Sequence, residues 1–206
     1  MIQTLKKVIK VLSAERRERG LYYTIIMYIT YMIGYSRGFF YKILFFRNIK
    51  STIFTLQANS KIEIFNKGAK VIIGKFVFIR KNASLRLDFD GRLVIEDKVF
   101  INDNCNINCV NSILIGTKTK IGPNVSINDH DHNYKYIDDS HLITGEVIIG
   151  KNVWIGSNVV ILRNTFIGDN AVIAAGSVVK GNIPENTLFL NKRENEYIQR
   201  NKKVVG

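Results

Sequence analysis

Only two cysteines occur in the 206 residues, Cys105 and Cys109. That is too few for a disulfide framework, and a reducing cytoplasm is the simplest setting. Histidine is nearly as scarce: His130, His132 and His141 all fall within "SINDHDHNYKYIDDSHLITGEV", residues 126–147. Tryptophan occurs once, as Trp154. Long apolar runs are missing as well. The uncharged stretch "LYYTIIMYITYMIGYS", Leu21 to Ser36, contains five tyrosines and falls short of the roughly 20 residues that a spanning helix needs. No secretory signal is evident, because the first twelve residues are already rich in lysine and no small-residue cleavage site follows a compact apolar run.

Acidic residues are also short, 17 against 30 Lys and Arg, for a net charge of +13. The excess is uneven. Residues 1–50 hold ten basic side chains against Glu15 and Glu18, leaving that segment at +8 and the rest of the chain at +5. A nucleic acid, an anionic membrane and a phosphorylated ligand would each suit such a patch. The basic residues accompany an apolar aromatic segment and form no recognised nucleic-acid motif, so no nucleic acid is expected as a partner. Arg16, Arg17 and Arg19 on one side and Arg37, Lys42 and Arg47 on the other flank Leu21–Ser36. That arrangement suits a helix lying at a membrane interface, and equally a helix packed on its own domain or on a neighbouring subunit.

The 46% hydrophobic content fits one domain with a sizeable core plus an appendage. From Ile73 an aliphatic residue returns every six positions: Ile73, Ile79, Leu85; Ile95, Ile101, Ile107; Ile115, Ile121, Ile127; then Ile149 through Ile155, Ile161, Ile167 and Ile173 to Val179. A six-residue beat fits neither a helix nor a simple alternating strand, so it reports a repeating architecture. Four residues after each aliphatic comes a small one, such as Ala83, Cys105, Thr119, Val153, Ala171 or Ser177, giving two inward positions per hexad. Three after it stands asparagine, at 82, 104, 124, 152, 158, 164 and 170. Asparagine tolerates a left-handed backbone better than other non-glycine residues, so each hexad reads as a short strand ending in a turn. Three sides close a triangular coil of about eighteen residues, and coils stack at roughly the 4.8 Å spacing of paired strands.

The hexads "IGKNVW", "IGSNVV" and "IGDNAV", followed by "IAAGSVVKGNIPENT", closely resemble the hexapeptide-repeat acyltransferases. Within that family they are similar to the sugar O-acetyltransferases, among them galactoside and maltose acetyltransferases and the enzymes that acetylate bacterial capsule and O-antigen glycans. The resemblance covers about residues 56–190. It implies an all-β solenoid, a left-handed parallel β-helix, together with a homotrimer and acetyl-CoA as acyl donor. The chain then divides into a basic aromatic helical segment (1–50), the β-helix domain (51–190) with a loop at 128–146, and a basic tail (191–206). Its expected setting is the cytoplasm, with the inner face of the cytoplasmic membrane in reach if residues 1–50 touch lipid.

Between Ile127 and Ile149 the beat stops for a loop, and long loops in compact repeats are usually functional. Acetyl transfer to a hydroxyl needs a base, and histidine is the usual one because its neutral form is abundant near neutral pH. The family uses one loop histidine in this way, and "DHDH" offers two. His130 lies twenty-four residues before Trp154, the spacing of galactoside-type members, whereas His132 in "DHNY" resembles the context of colanic-acid-type members and is slightly favoured. Asp129, Asp131, Asp138 and Asp139 are candidates to orient the imidazole, and Asp129, Asp131 and Tyr134 to meet the acceptor. Asn106 in "CNIN" matches the family's acceptor-binding position. Trp154 is expected to face outward and line the cofactor tunnel at the subunit boundary. Gly156, Ser157, Ala174, Ala175 and Gly176 are small enough for a pantetheine arm, while Lys180, Lys192 and Arg193 would meet phosphates. No metal site is expected. After the last coil the chain reads "LFLNKRENEYIQRNKK" where relatives usually continue with Gly-Asn-Pro, so the resemblance assigns nothing firm at the adenine end. Other functions weighed on the same residues are an N-acetyltransferase on a nucleotide amino sugar, an antibiotic O-acetyltransferase and a non-catalytic β-helix scaffold; the histidine loop argues against the last.

Overall fold

The computed structural model describes residues 2–134 and 141–192. From Ile49 to Phe189 the chain winds into a parallel β-solenoid of about six turns that matches a left-handed β-helix. Its short strands stack on three faces. The first face carries Ile49–Ser51, Lys70–Ile73, Arg92–Ile95, Ser112–Ile115 and Glu146–Ile149. The second runs from Phe54–Leu56 through Val77–Ile79, Phe100–Ile101, Lys120–Ile121, Trp154–Ile155 and Val172–Ile173 to Leu188–Phe189. The third holds Lys61–Ile64, Ser84–Leu87, Asn106–Cys109 and Ser126–Asn128. In the last two turns the strands Val160–Ile167 and Val178–Ile183 bend around the corner and serve the third and first faces in succession.

The hexad residues build this core. Every aliphatic of the six-residue beat is buried, and so are its small partners, from Val77 and Ala83 to Ala171 and Ser177. All seven hexad asparagines have φ between 54° and 59°, in the left-handed region. Their side chains form ladders up the corners: Asn82 donates to Asn104, Asn104 to Asn124 and Asn124 to Asn158, each at 3.1 Å, and Asn152 donates to Asn170 and Asn170 to Asn186 at 3.0 Å. The amide thus satisfies its neighbour as well as tolerating the turn.

Coil length differs from the eighteen-residue expectation. On the first face the row Ile73, Ile95, Ile115, Ile149, Ile167 keeps its register, yet only the step from Ile149 to Ile167 spans eighteen residues. The surplus residues of the longer turns gather at one corner, where the third face passes to the first. Residues 65–69, 88–91 and 110–111 occupy it in successive turns, and the histidine loop is the largest member of that series. A corner can lengthen without shifting strand pairing, which is why the six-residue beat breaks there and nowhere else.

Two helices precede the solenoid, α1 (Ile2–Arg19) and α2 (Leu21–Leu44). α2 lies against the first turn. A Cβ added at Gly38 would stand 2.6 Å from the Phe54 carbonyl oxygen, so only glycine allows the approach. Arg37 donates to the carbonyls of Leu56 (3.2 Å) and Ser60 (2.7 Å), and Lys42 to that of Ser51 (2.8 Å). These cations cover acceptors at the open end of the solenoid, an edge that would otherwise invite pairing with another strand. No helix among the described residues is long and apolar enough to cross a membrane.

Candidate active site

The loop leaves the third face after Asn128 and makes a hairpin in which His130–His132 pairs antiparallel with Leu142–Thr144. Residues 135–140, with Asp138 and Asp139, lie outside the described residues. At the root of the hairpin the Gly145 N–H donates to the Asp129 carbonyl at 2.7 Å, and the Asn111 amide donates to the Gly145 carbonyl at 2.8 Å. The Asp129 side chain is fully buried. Its carboxylate accepts the Val110 N–H at 3.0 and 3.1 Å, the Asn111 N–H at 2.8 Å, and stands 2.9 Å from His130 Nδ1.

A buried carboxylate must be satisfied by donors, and here two come from the preceding turn and one from the imidazole. With Nδ1–H donating to Asp129, Nε2 of His130 keeps its lone pair. His130 is four-fifths covered, whereas His132 stands exposed further up the hairpin. The slight preference for His132 drawn from its neighbours therefore finds no support in the geometry. The hairpin is tied on its other side by Arg163 of the following turn, whose Nε donates to Asp131 Oδ2 at 2.7 Å.

Beside the hairpin is a cavity of about 480 Å³, lined by Arg86, Asp88, Phe89, Asn108, Asn128, His130, Asp131 and His132 among others. Asn108 donates to Asn128 at 2.8 Å. These two asparagines, which the sequence reading passed over, share the cavity with His130, while Asn106 is exposed two residues earlier on the same strand and does not line it. The alternation of the strand could have found them, since Asn106, Asn108 and Asn128 all occupy outward positions of the third face. Asp129, expected to meet the acceptor or orient the imidazole, is buried against the backbone amides of Val110 and Asn111 and against His130. Asp131 is partly exposed at the cavity, and Tyr134 is 84% exposed.

Cys109 also lines the cavity, but burial and then the Asp129 carboxylate beside it raise its pKa far above the ordinary thiol value. Burial likewise pushes Cys105 up to about 11. Neither supplies a thiolate near neutral pH.

The predicted cofactor residues lie elsewhere. Trp154 is on the second face, 62% exposed, as expected for an outward position. Gly156, Ser157, Ala174, Ala175 and Gly176 form the corner between the second and third faces in the last turns. Gly156 has a packing reason of its own, because a Cβ there would lie 2.6 Å from the Ala175 nitrogen. Lys180 is exposed at the corner that carries the hairpin in an earlier turn, Lys192 is exposed past the last strand, and Arg193 lies outside the described residues. Within one chain the small-residue corner and His130 therefore occupy opposite edges of the third face.

Residues 146–181 match the family model described as bacterial transferase hexapeptide (six repeats). The chain is 42% identical over 118 residues to the Escherichia coli K12 protein provisionally named lipopolysaccharide biosynthesis O-acetyl transferase WbbJ, covering 51% of this chain and 60% of that protein. It thus spans less than two thirds of that relative. Over 149 residues it is 31% identical to a Schizosaccharomyces pombe protein provisionally named acetyltransferase C18B11.09c, covering 69% of this chain and 72% of that one. In three dimensions it is similar to the S84C mutant of AntD, a Bacillus cereus N-acyltransferase, with a TM-score of 0.58 at 20% identity over 81% of this chain and 90% of that one, which speaks for the fold alone. With the hexad core, the asparagine corners and these two sequence relatives in agreement, the chain belongs to the hexapeptide-repeat transferase family.

Proposed function

We propose that the protein is an acetyl-CoA-dependent O-acetyltransferase acting on a hydroxyl of a bacterial glycan or its sugar precursor, with His130 as general base. The observation that carries the reading is the 2.9 Å contact between His130 Nδ1 and buried Asp129, at the mouth of a cavity lined by amides and an arginine. The name of the WbbJ relative and its 42% identity favour oxygen over nitrogen as the acceptor atom.

Acetyl-CoA is the donor substrate, and it supplies an electrophilic thioester carbonyl. The residues at the second-to-third corner fit its extended arm: Ser157 and Ala174 are partly exposed, Ala175 is exposed and none is large, with Trp154 standing beside them. His130 Nε2 takes the proton of the acceptor hydroxyl as its oxygen bonds to the carbonyl carbon. The C–S bond breaks, and the imidazolium returns that proton to the departing thiolate, leaving an O-acetyl ester and a free thiol. Asp129 stabilises the imidazolium in between. No covalent acyl-enzyme is needed, in keeping with the raised thiol of Cys109.

His130 and the small-residue corner lie across a face from one another, so a second copy must bring its donor edge to the hairpin. A closed ring of three subunits does this, because its interfaces join two different edges. The catalytic unit is residues 51–190, with 1–50 and 191–206 as appendages. The test is thiol release from acetyl-CoA with a panel of nucleotide sugars, lipid-linked sugars and polysaccharides, followed by mass spectrometry of the product. Acetyl esters removed by mild base are expected. Products acetylated only on amines would replace the reading with N-acetyl transfer.

A further inference from the structure

We propose that α1 and α2 form a docking surface for an anionic lipid bilayer, holding the protein at the membrane without crossing it. A helix that is apolar on all sides is ordinarily buried on all sides. α2 is apolar around most of its circumference, yet the solenoid covers one stripe of it, where Gly34 and Gly38 meet Thr55 and Phe54 and Tyr31 packs edge-on against Phe78. The remaining sides stay open: Met32, Phe39 and Phe40 are 64%, 64% and 59% exposed. Between the helices runs a groove of about 1000 Å³, lined by apolar side chains including Leu12, Ile25, Ile29, Met32, Ile33 and Phe40.

Charge selects the occupant. Among the described residues the only ion pair of this segment joins Arg19 to Glu15. Arg37 and Lys42 are engaged with carbonyls of the first turn, whereas Lys6, Lys10, Arg16, Arg17, Arg47 and Lys50 are exposed. A second copy would bring one +8 segment against another, with the remainder of each chain also net positive, so self-association through this face is opposed by charge. Anionic headgroups complement the basic margin. Tyrosine and phenylalanine suit the headgroup boundary, and the aliphatic groove suits the acyl region beneath it. A nucleic acid would satisfy the charge but not the apolar area.

The experiment is flotation of the full chain with vesicles of phosphatidylcholine alone or of equal parts phosphatidylcholine and phosphatidylglycerol. Partitioning into the anionic vesicles should exceed that into phosphatidylcholine by at least about tenfold. The double variant Met32→Asp, Phe40→Asp should lose it with unchanged melting temperature and particle mass, since both side chains are exposed. The proposal is overturned if the parent fails to float, if it floats equally with both vesicle types, or if the double variant floats like the parent. A fall in particle mass in that variant would also overturn it, by assigning the face to contact between subunits.

Discussion

At the corners of the solenoid each asparagine does two jobs, and substitution separates them. Asn124 has φ 59° and joins Asn104 to Asn158 in a ladder. Alanine keeps a Cβ in the left-handed region without the polar side chain that makes asparagine tolerate it, and it breaks the ladder; glycine breaks the ladder but is at ease at that φ. We expect Asn124→Ala to cost about 1–2 kcal/mol more than Asn124→Gly in urea unfolding, and equal losses would contradict the turn argument. Cys109 offers a second residue-scale check. Its raised thiol excludes it as the nucleophile, so Cys109→Ala should keep turnover at the parental order of magnitude while losing about 1 kcal/mol of stability. The asparagine turns were legible in the sequence because φ is a local property. Asn108 and Asn128 are legible only as outward strand positions, like Asn106, because what singles them out is a cavity that the hairpin builds beside them.

Among the elements, the histidine hairpin is held from both neighbouring turns, by Asp129 on the amides of Val110 and Asn111 and by Arg163 on Asp131. Arg163→Ala should loosen it without unfolding the solenoid, lowering turnover by up to about 10²-fold with little change in melting temperature, and Arg163→Lys should restore part of the loss. A large fall in melting temperature would show that the pair is mainly structural. The interruption itself was plain from the lost beat. Its pairing was not, nor was the contact of His130 with buried Asp129. That contact depends on backbone amides nearly twenty residues back in the chain, which only the closed turn brings beside Asp129. Coil length exceeds eighteen in most turns for a related reason: extra residues gather at one corner, where they interrupt the beat but leave every strand in register.

On the scale of the whole molecule, the separation of His130 from the small-residue corner makes a specific demand on assembly. If the site is shared between subunits, a copy carrying His130→Ala and a copy carrying Ala175→Trp, each inactive alone, should complement after joint unfolding and refolding. Random mixing gives about a quarter of the parental rate, because one interface in four receives both intact edges. Absence of any recovery, with mixed trimers verified by mass, would place the whole site within one chain. The core of the molecule was readable in advance because six-residue periodicity is a property of stacked coils. Arg37 and Lys42 were not readable as edge caps, since their partners are bare carbonyls that leave no mark in a sequence.

The most direct test of the account is the single-turnover rate of acetyl transfer in His130→Ala, His132→Ala and the parent, with folding checked by circular dichroism. General-base catalysis contributes roughly 10²–10⁴-fold, so His130→Ala should fall by about that factor. His132→Ala, altering an exposed side chain, should stay near the parental rate. A folded His130→Ala protein that transfers acetyl at the parental rate would contradict the assignment of the base.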